Sequence, residues 1–177
     1  MIQFYERHCD RFIKVYPKFY DYFTASDMRL LKVTAFKLGS TIVMYAAYLT
    51  LMAYMYLGGI RGLWNIIIVP ALVFVLVTVV RSGINAKRPY EKYPVKPVIH
   101  KSTKGNSCPS RHTACAFAIA MAWLYANPPV GIAMLIIAAA IGISRPLFGV
   151  HFPLDVVFGA VLAIVISVIG YAFIPVI

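Results

Sequence analysis

Acidic side chains are scarce in this sequence. Six Asp and Glu stand against 17 Lys and Arg, for a formal net charge of +11, and Asp155 is the only acid after Glu91. Such an imbalance argues against the mixed charge of an ordinary soluble surface. It points to anionic partners, either lipid surfaces or phosphate-bearing ligands. Cysteine is equally sparse. Cys9, Cys108 and Cys115 are odd in number and lack C-x-x-C spacing, so neither a disulfide framework nor a thiolate metal site is expected. Internal repeats and low-complexity segments are missing, and the first residues lack a secretory signal pattern.

Apolar residues are what the chain has in excess, at 61% of the total. Charge-free stretches run over 38–60, 62–80, 113–144 and 156–177. A bilayer-spanning helix needs roughly 20 mostly apolar residues. The third stretch is too long for one span, and Asn127-Pro128-Pro129 breaks it as a turn does. Five spans are therefore expected, near 36–58, 63–82, 111–126, 130–147 and 154–176, in one all-α integral membrane bundle covering 1–177. Residues 1–24 carry too much charge to cross. Even so, Ile2, Tyr5, Cys9, Phe12, Tyr16, Phe19 and Phe23 recur every three or four residues, the pattern of an amphipathic helix. This helix, within an N-terminal segment 1–33, is expected to lie in the membrane interface with a kink at Pro17. Ordinary packing on the bundle is the alternative.

Five spans divide the loops between two sides. The N-terminal segment, the long loop 83–110 and the turn 148–153 share one side, and with them go all the acids and every Lys and Arg except Arg61. Trp64, Trp123 and Tyr125 mark the sparse side as an aromatic belt does. Taken literally, the positive-inside rule places the charged face in the cytosol. Cations that bind an anionic ligand weaken that inference, although the bias persists when Arg81, Lys87, Arg88, Arg111 and Arg145 are set aside.

Three polar clusters reach that same face. The second span runs out through Arg81, Lys87, Arg88 and Pro89. The third opens on Pro109-Ser110-Arg111-His112, and the fourth ends in Ser144 and Arg145, followed by His151 and Asp155. Guanidinium groups suit bidentate binding of phosphate oxygens. Ser110 is expected to cap the third span, whose free N–H groups and positive dipole end favour phosphate as well. His151 and Asp155, four apart, share one face if a helix begins near Phe152–Pro153. A carboxylate on one imidazole nitrogen leaves the other free as nucleophile or base, and His112 remains for proton delivery. Taken singly, each cluster has a plainer reading. The cations also fit snorkelling or headgroup contacts, and His151 with Asp155 also fits a buried structural pair. Metal ligation by His112, His151 and Asp155 is disfavoured, because the nearby arginines repel a cation.

Jointly the clusters resemble the type 2 phosphatidic acid phosphatase superfamily, whose pattern is K-x6-R-P, P-S-G-H and S-R-x5-H-x3-D. Here it is met by Arg81-x6-Arg88-Pro89, Pro109-Ser110-Arg111-His112 and Ser144-Arg145-x5-His151-x3-Asp155, across residues 81–155. The resemblance implies a metal-independent and cofactor-independent lipid phosphatase that works through a phosphohistidine. In that reading His151 attacks phosphorus, Asp155 orients it and His112 protonates the leaving oxygen. Arg81, Arg88, Ser110 and Arg145 hold the phosphoryl oxygens, with Arg111 and Lys87 as further candidates. The substrate is a membrane lipid such as phosphatidic acid, phosphatidylglycerophosphate or a polyprenyl diphosphate. No nucleic acid and no obligatory protein partner is expected.

The pattern departs from the family in three places. Arg81 stands for lysine and puts a planar fork where a point donor is usual. Arg111 stands for glycine, so its side chain must point away from phosphate or add a contact of its own. The family also commonly has six spans and an active site facing away from the cytosol, whereas here the interfacial N-terminal helix stands in for the first span. Two rival functions remain at this point: a non-catalytic binder of anionic lipids, and a transferase of the same fold with an acceptor other than water.

Overall fold

The computed structural model describes residues 2–176, and of Ile2 the backbone alone, so the expected place of the Ile2 side chain lies outside the described residues. It contains α1 (Ile2–Thr24), α2 (Asp27–Leu57), α3 (Leu63–Ile84), the single turn α4 (Pro89–Lys92), α5 (Arg111–Ala126), α6 (Pro128–Leu147) and α7 (Pro153–Phe173). Among the described residues there is no strand, and the fold is all-α. Among the described residues, four segments are long and apolar enough to cross a membrane: α2, the stretch Leu63–Lys92 that contains α3, then α6 and α7. Their outer faces carry large exposed apolar side chains such as Leu57, Val79, Ile136 and Phe173, which is what lipid contact requires.

The third expected span, α5, falls short of that length. Its 16 residues rise about 24 Å at 1.5 Å each, against a hydrocarbon layer of about 30 Å. It is central instead, packed on α6, α7, α3 and α2. Protein rather than lipid surrounds it, so it does not need a full-length apolar belt. Ala114, Ala116, Ala118, Ala120 and Ala122 are all buried along it, and such small side chains let neighbouring helices approach closely.

The ends of the helices are pinned at both faces. On the side of the short turns, Asn65 on α3 donates to the Ile174 and Pro175 carbonyls, and Tyr125 stacks on Tyr171 at 4.5 Å. On the opposite side, Ser110 N–H at the mouth of α5 donates to the Asp155 carbonyl at 2.8 Å. The alternation of direction expected from counting spans therefore holds, and the end of α3 and the starts of α5 and α7 meet on one face.

Two elements differ from the expected boundaries. α2 begins at Asp27, well before 36, because its extra turns pack rather than span: Val33 is buried in a cluster with Val98 and Phe148. α1 runs unbroken through Pro17 and packs its aromatic face on the bundle. Cys9 and Tyr16 are buried there, Phe12 meets Phe152 edge-on, and Phe23 meets Phe148 in the same way. Arg7, Arg11, Lys14 and Lys18 stay exposed on the other face.

Candidate active site

The long loop 85–110 is organised by its own polar groups before it meets the helices. Glu91 accepts from the Arg88 and Gly105 backbone N–H groups, closing the loop across its neck. Gly105 sits at φ +62, a backbone region open to glycine at little cost. Ser107 N–H donates to the Ala86 carbonyl, which draws the end of the loop back to the start. Arg88, only 3% exposed, then crosses the neck: Nε donates to the Gly105 carbonyl and Nη1 to the Val150 carbonyl.

His151 and Asp155 meet under this loop. Phe152 is the N-cap of α7, and its backbone N–H donates to Asp155 Oδ2 at 2.9 Å, which fixes the carboxylate at the helix mouth. His151 Nδ1 lies 3.5 Å from the same oxygen, and both residues are buried. Ser107, also buried, donates to Oδ2 at 2.5 Å and stands 3.4 Å from His151 Nδ1. Since Nδ1 faces Asp155 and Ser107, Nε2 is the ring nitrogen outside these contacts. Burial pushes the imidazole down to about 4; the Asp155 hydrogen bond and charge oppose this, and Arg88 and Arg81 reinforce it.

Arg81 and Arg145 are buried too, and among the described residues neither they nor Arg88 forms an ion pair with a carboxylate. Among the described residues, Arg145 Nε is a buried donor with no hydrogen-bond partner. A buried cation left this way carries an uncompensated desolvation cost unless an anion joins it. Lys101, half-buried on the loop, belongs to the same group. Burial pulls its ammonium down to about 8, helped by Arg88, Arg145, Arg81 and Lys37.

The remaining expected residues are placed unevenly. Ser110 is the N-cap residue of α5, but its side chain makes no cap bond; its oxygen instead accepts from Thr113 Oγ1 at 3.0 Å. The expected cap is thus replaced by a hydroxyl pair, since Thr113 one turn on is close enough to donate. His112, Arg111 and Arg145 line one end of a groove of about 680 Å³ walled by Met44, Tyr48, Ala71, Phe74 and Ile119. Arg111 turns its guanidinium over the Phe74 ring, 5.6 Å from its centre, and so lies at the head of the apolar groove. Lys87 is exposed.

Sequence reasoning missed Ser107, Lys101 and the part played by Tyr5, whose hydroxyl donates to Asp155 Oδ1 at 2.6 Å. Ser107 and Lys101 lie in a loop without periodicity, and only the three-dimensional path of that loop brings them in. Tyr5 was legible as one residue of an aromatic face, with nothing to set it apart from its neighbours.

The PAP2 superfamily profile matches residues 62–176. Undecaprenyl-diphosphatase BcrC of Bacillus subtilis (strain 168) is 35% identical over 86 residues, 49% of this chain and 44% of that protein. The bacitracin transport permease protein BcrC of Bacillus licheniformis is 37% identical over 78 residues, 42% of this chain and 38% of that protein. The chain thus spans less than half the length of the curated relatives it matches. Among solved structures, Aquifex aeolicus LpxE superposes with a TM-score of 0.68 at 25% identity, covering 90% of this chain and 96% of that one. The first transmembrane PAP2 type phosphatidylglycerolphosphate phosphatase from Bacillus subtilis shares the fold, with a TM-score of 0.64 at 24% identity over 84% of this chain and 77% of that one. The profile spans all three clusters and every helix that carries them, and the chain belongs to the PAP2 superfamily.

Proposed function

We propose that this membrane protein is a single-unit, metal-independent lipid phosphatase acting on a lipid phosphomonoester or diphosphate. The observation that carries the reading is a group of buried guanidiniums without carboxylate partners among the described residues, gathered around an imidazole whose Nδ1 side is already held. Arg81, Arg88 and Arg145 bind the phosphoryl oxygens, joined by Lys101, Ser110 and the N–H groups of the first turn of α5. Fixed positive charge at developing negative charge is usually the largest catalytic contribution in such reactions. The same concentration of cations disfavours a metal ion there.

In the first step His151 Nε2 attacks phosphorus, a P–N bond forms and the P–O bond to the lipid breaks. His112, which takes up a proton as the phosphate-bearing substrate binds, gives it to the departing oxygen. Asp155 balances the charge that appears on the His151 ring. In the second step His112 takes a proton from water, the oxygen attacks phosphorus and the P–N bond breaks, which releases phosphate and restores both histidines. The groove beside His112 and Arg111 suits a lipid tail entering laterally from the bilayer while the phosphate reaches the arginines.

Phosphatidic acid, phosphatidylglycerophosphate and polyprenyl diphosphates are the substrate candidates. The similarity to an undecaprenyl-diphosphatase favours the last. The enzyme resides in the cell membrane, needs no obligatory protein partner, and on its charge bias presents the site to the cytosol. The deciding experiment is phosphate release across these lipids by the wild type and by His151→Ala and His112→Ala. Turnover by the wild type and losses of at least about 1,000-fold and 100-fold in the variants are expected. Undiminished turnover in both variants would sink the mechanism. Equal turnover of a water-soluble short-chain phosphate would remove the groove from the account.

A further inference from the structure

Asp155 is wholly buried, and its two oxygens are served from different parts of the chain. Oδ2 is held locally, by the Phe152 N–H, Ser107 and His151. Oδ1 accepts from the Tyr5 hydroxyl at 2.6 Å, from 150 residues away. Beside this contact to α7, others clasp α1 to the site loop. Glu6 pairs with Lys92, Tyr93 donates to Asp10 at 2.6 Å, and Tyr16 donates to the Lys96 carbonyl at 2.9 Å. The Tyr5 and Phe12 rings both stand edge-on to Phe152, the residue between His151 and the start of α7.

We propose that Tyr5 is a positioning residue for the reaction: from the N-terminal helix it holds Asp155 Oδ1, and thereby the orientation of the carboxylate behind His151. The inference rests on the phosphatase reading and extends it to an element outside the motif-bearing helices. A carboxylate anchored at one oxygen can rotate about its Cβ–Cγ bond and lose alignment with Nδ1; anchored at both, it cannot. Burial and the Asp155 charge both keep the phenol protonated, so it acts as a donor throughout. Tyr5 touches neither the phosphate nor the attacking nitrogen, and its effect belongs in kcat rather than in substrate binding.

The test uses the full chain in lipid vesicles, with rates normalised to the folded, monodisperse fraction so that lost expression does not count as lost catalysis. Tyr5→Phe removes only the hydroxyl. We expect kcat to fall about tenfold or more, the effect of one charge-assisted hydrogen bond, with KM within about twofold. In an Asp155→Asn background the same change should cost less than about twofold, because the two residues act as a unit. Tyr93→Phe, which loosens α1 from the loop without touching Asp155, should keep kcat. An unchanged kcat in Tyr5→Phe overturns the proposal, as does a full loss that persists beside Asp155→Asn, or an equal loss in Tyr93→Phe. His151→Ala, assayed in parallel, separates the two levels: if it retains turnover, the phosphatase mechanism fails, and if it alone is inactive, only the role of Tyr5 fails.

Discussion

A histidine proposed to attack phosphorus has to be neutral to do so, and the surroundings of His151 favour that form. Burial dominates, the Asp155 partner opposes, and Arg88 and Arg81 add repulsion, leaving the ring at about 4 instead of the ordinary value near 6.5. If His151 is the nucleophile, the acid limb of kcat/KM therefore falls near pH 4 and not near 6.5; a pH–rate profile in vesicles measures this, and a limb at 6.5 or above contradicts it. The same shift has a consequence for folding. The folded value lies below the unfolded one, so stability is unaffected well above pH 6.5 and falls as pH drops toward 4, by at most about 1.4 kcal/mol per unit. Thermal unfolding of His151→Gln beside the wild type should lose that part of the slope. At this scale the motif residues were legible from chemistry and spacing, whereas the turn of Arg111 onto Phe74 was not, because spacing carries no direction for a long side chain.

Among the elements, α5 and α7 set the site by how closely they meet. Ser110 N–H reaches the Asp155 carbonyl, and Gly159 one turn further along α7 faces the same serine. A Cβ at position 159 would stand 2.7 Å from the Ser110 carbonyl oxygen, a backbone atom that cannot swing aside. Gly159→Ala is accordingly expected to cost about 1–3 kcal/mol and to push the mouth of α5 away from α7. A lower unfolding midpoint together with reduced phosphate release is the expected result, and an unchanged midpoint would show that the two helices have slack. Periodicity and turn residues were enough to foresee α3, α5, α6 and α7 close to their observed bounds. The shortness of α5 as a span was harder to foresee, since its apolar character reflects burial in protein rather than contact with lipid.

For the molecule as a whole, charge is concentrated on the face that holds the site, and only Arg61 among the cations lies elsewhere. Part of that charge lines the buried cluster, but Arg7, Arg11, Lys14 and Lys18 on α1 are exposed and have no site to serve. They fit contact with anionic headgroups and favour a cytosolic placement. A cysteine in place of the exposed Lys104, in a variant without the native cysteines, reports the side. Labelling by a membrane-impermeant reagent only after permeabilisation is the expected outcome; labelling of intact cells would put the site outside.

Sequence alone determined the helical membrane class, the order of the spans, the face on which the three clusters meet and the residues within them. These follow from local quantities: apolar run length, turn residues and the fixed spacing of reactive side chains. Tertiary structure decided what surrounds Asp155. Ser107, 48 residues away, and Tyr5, 150 residues away, both donate to its carboxylate, and no periodicity within α1 or the loop encodes a contact at that separation. The N-terminal helix looked like a surface element because an amphipathic pattern specifies an apolar face but not what covers it. Its aromatic face is covered by the site loop and the start of α7, which is how Tyr5 reaches the buried carboxylate.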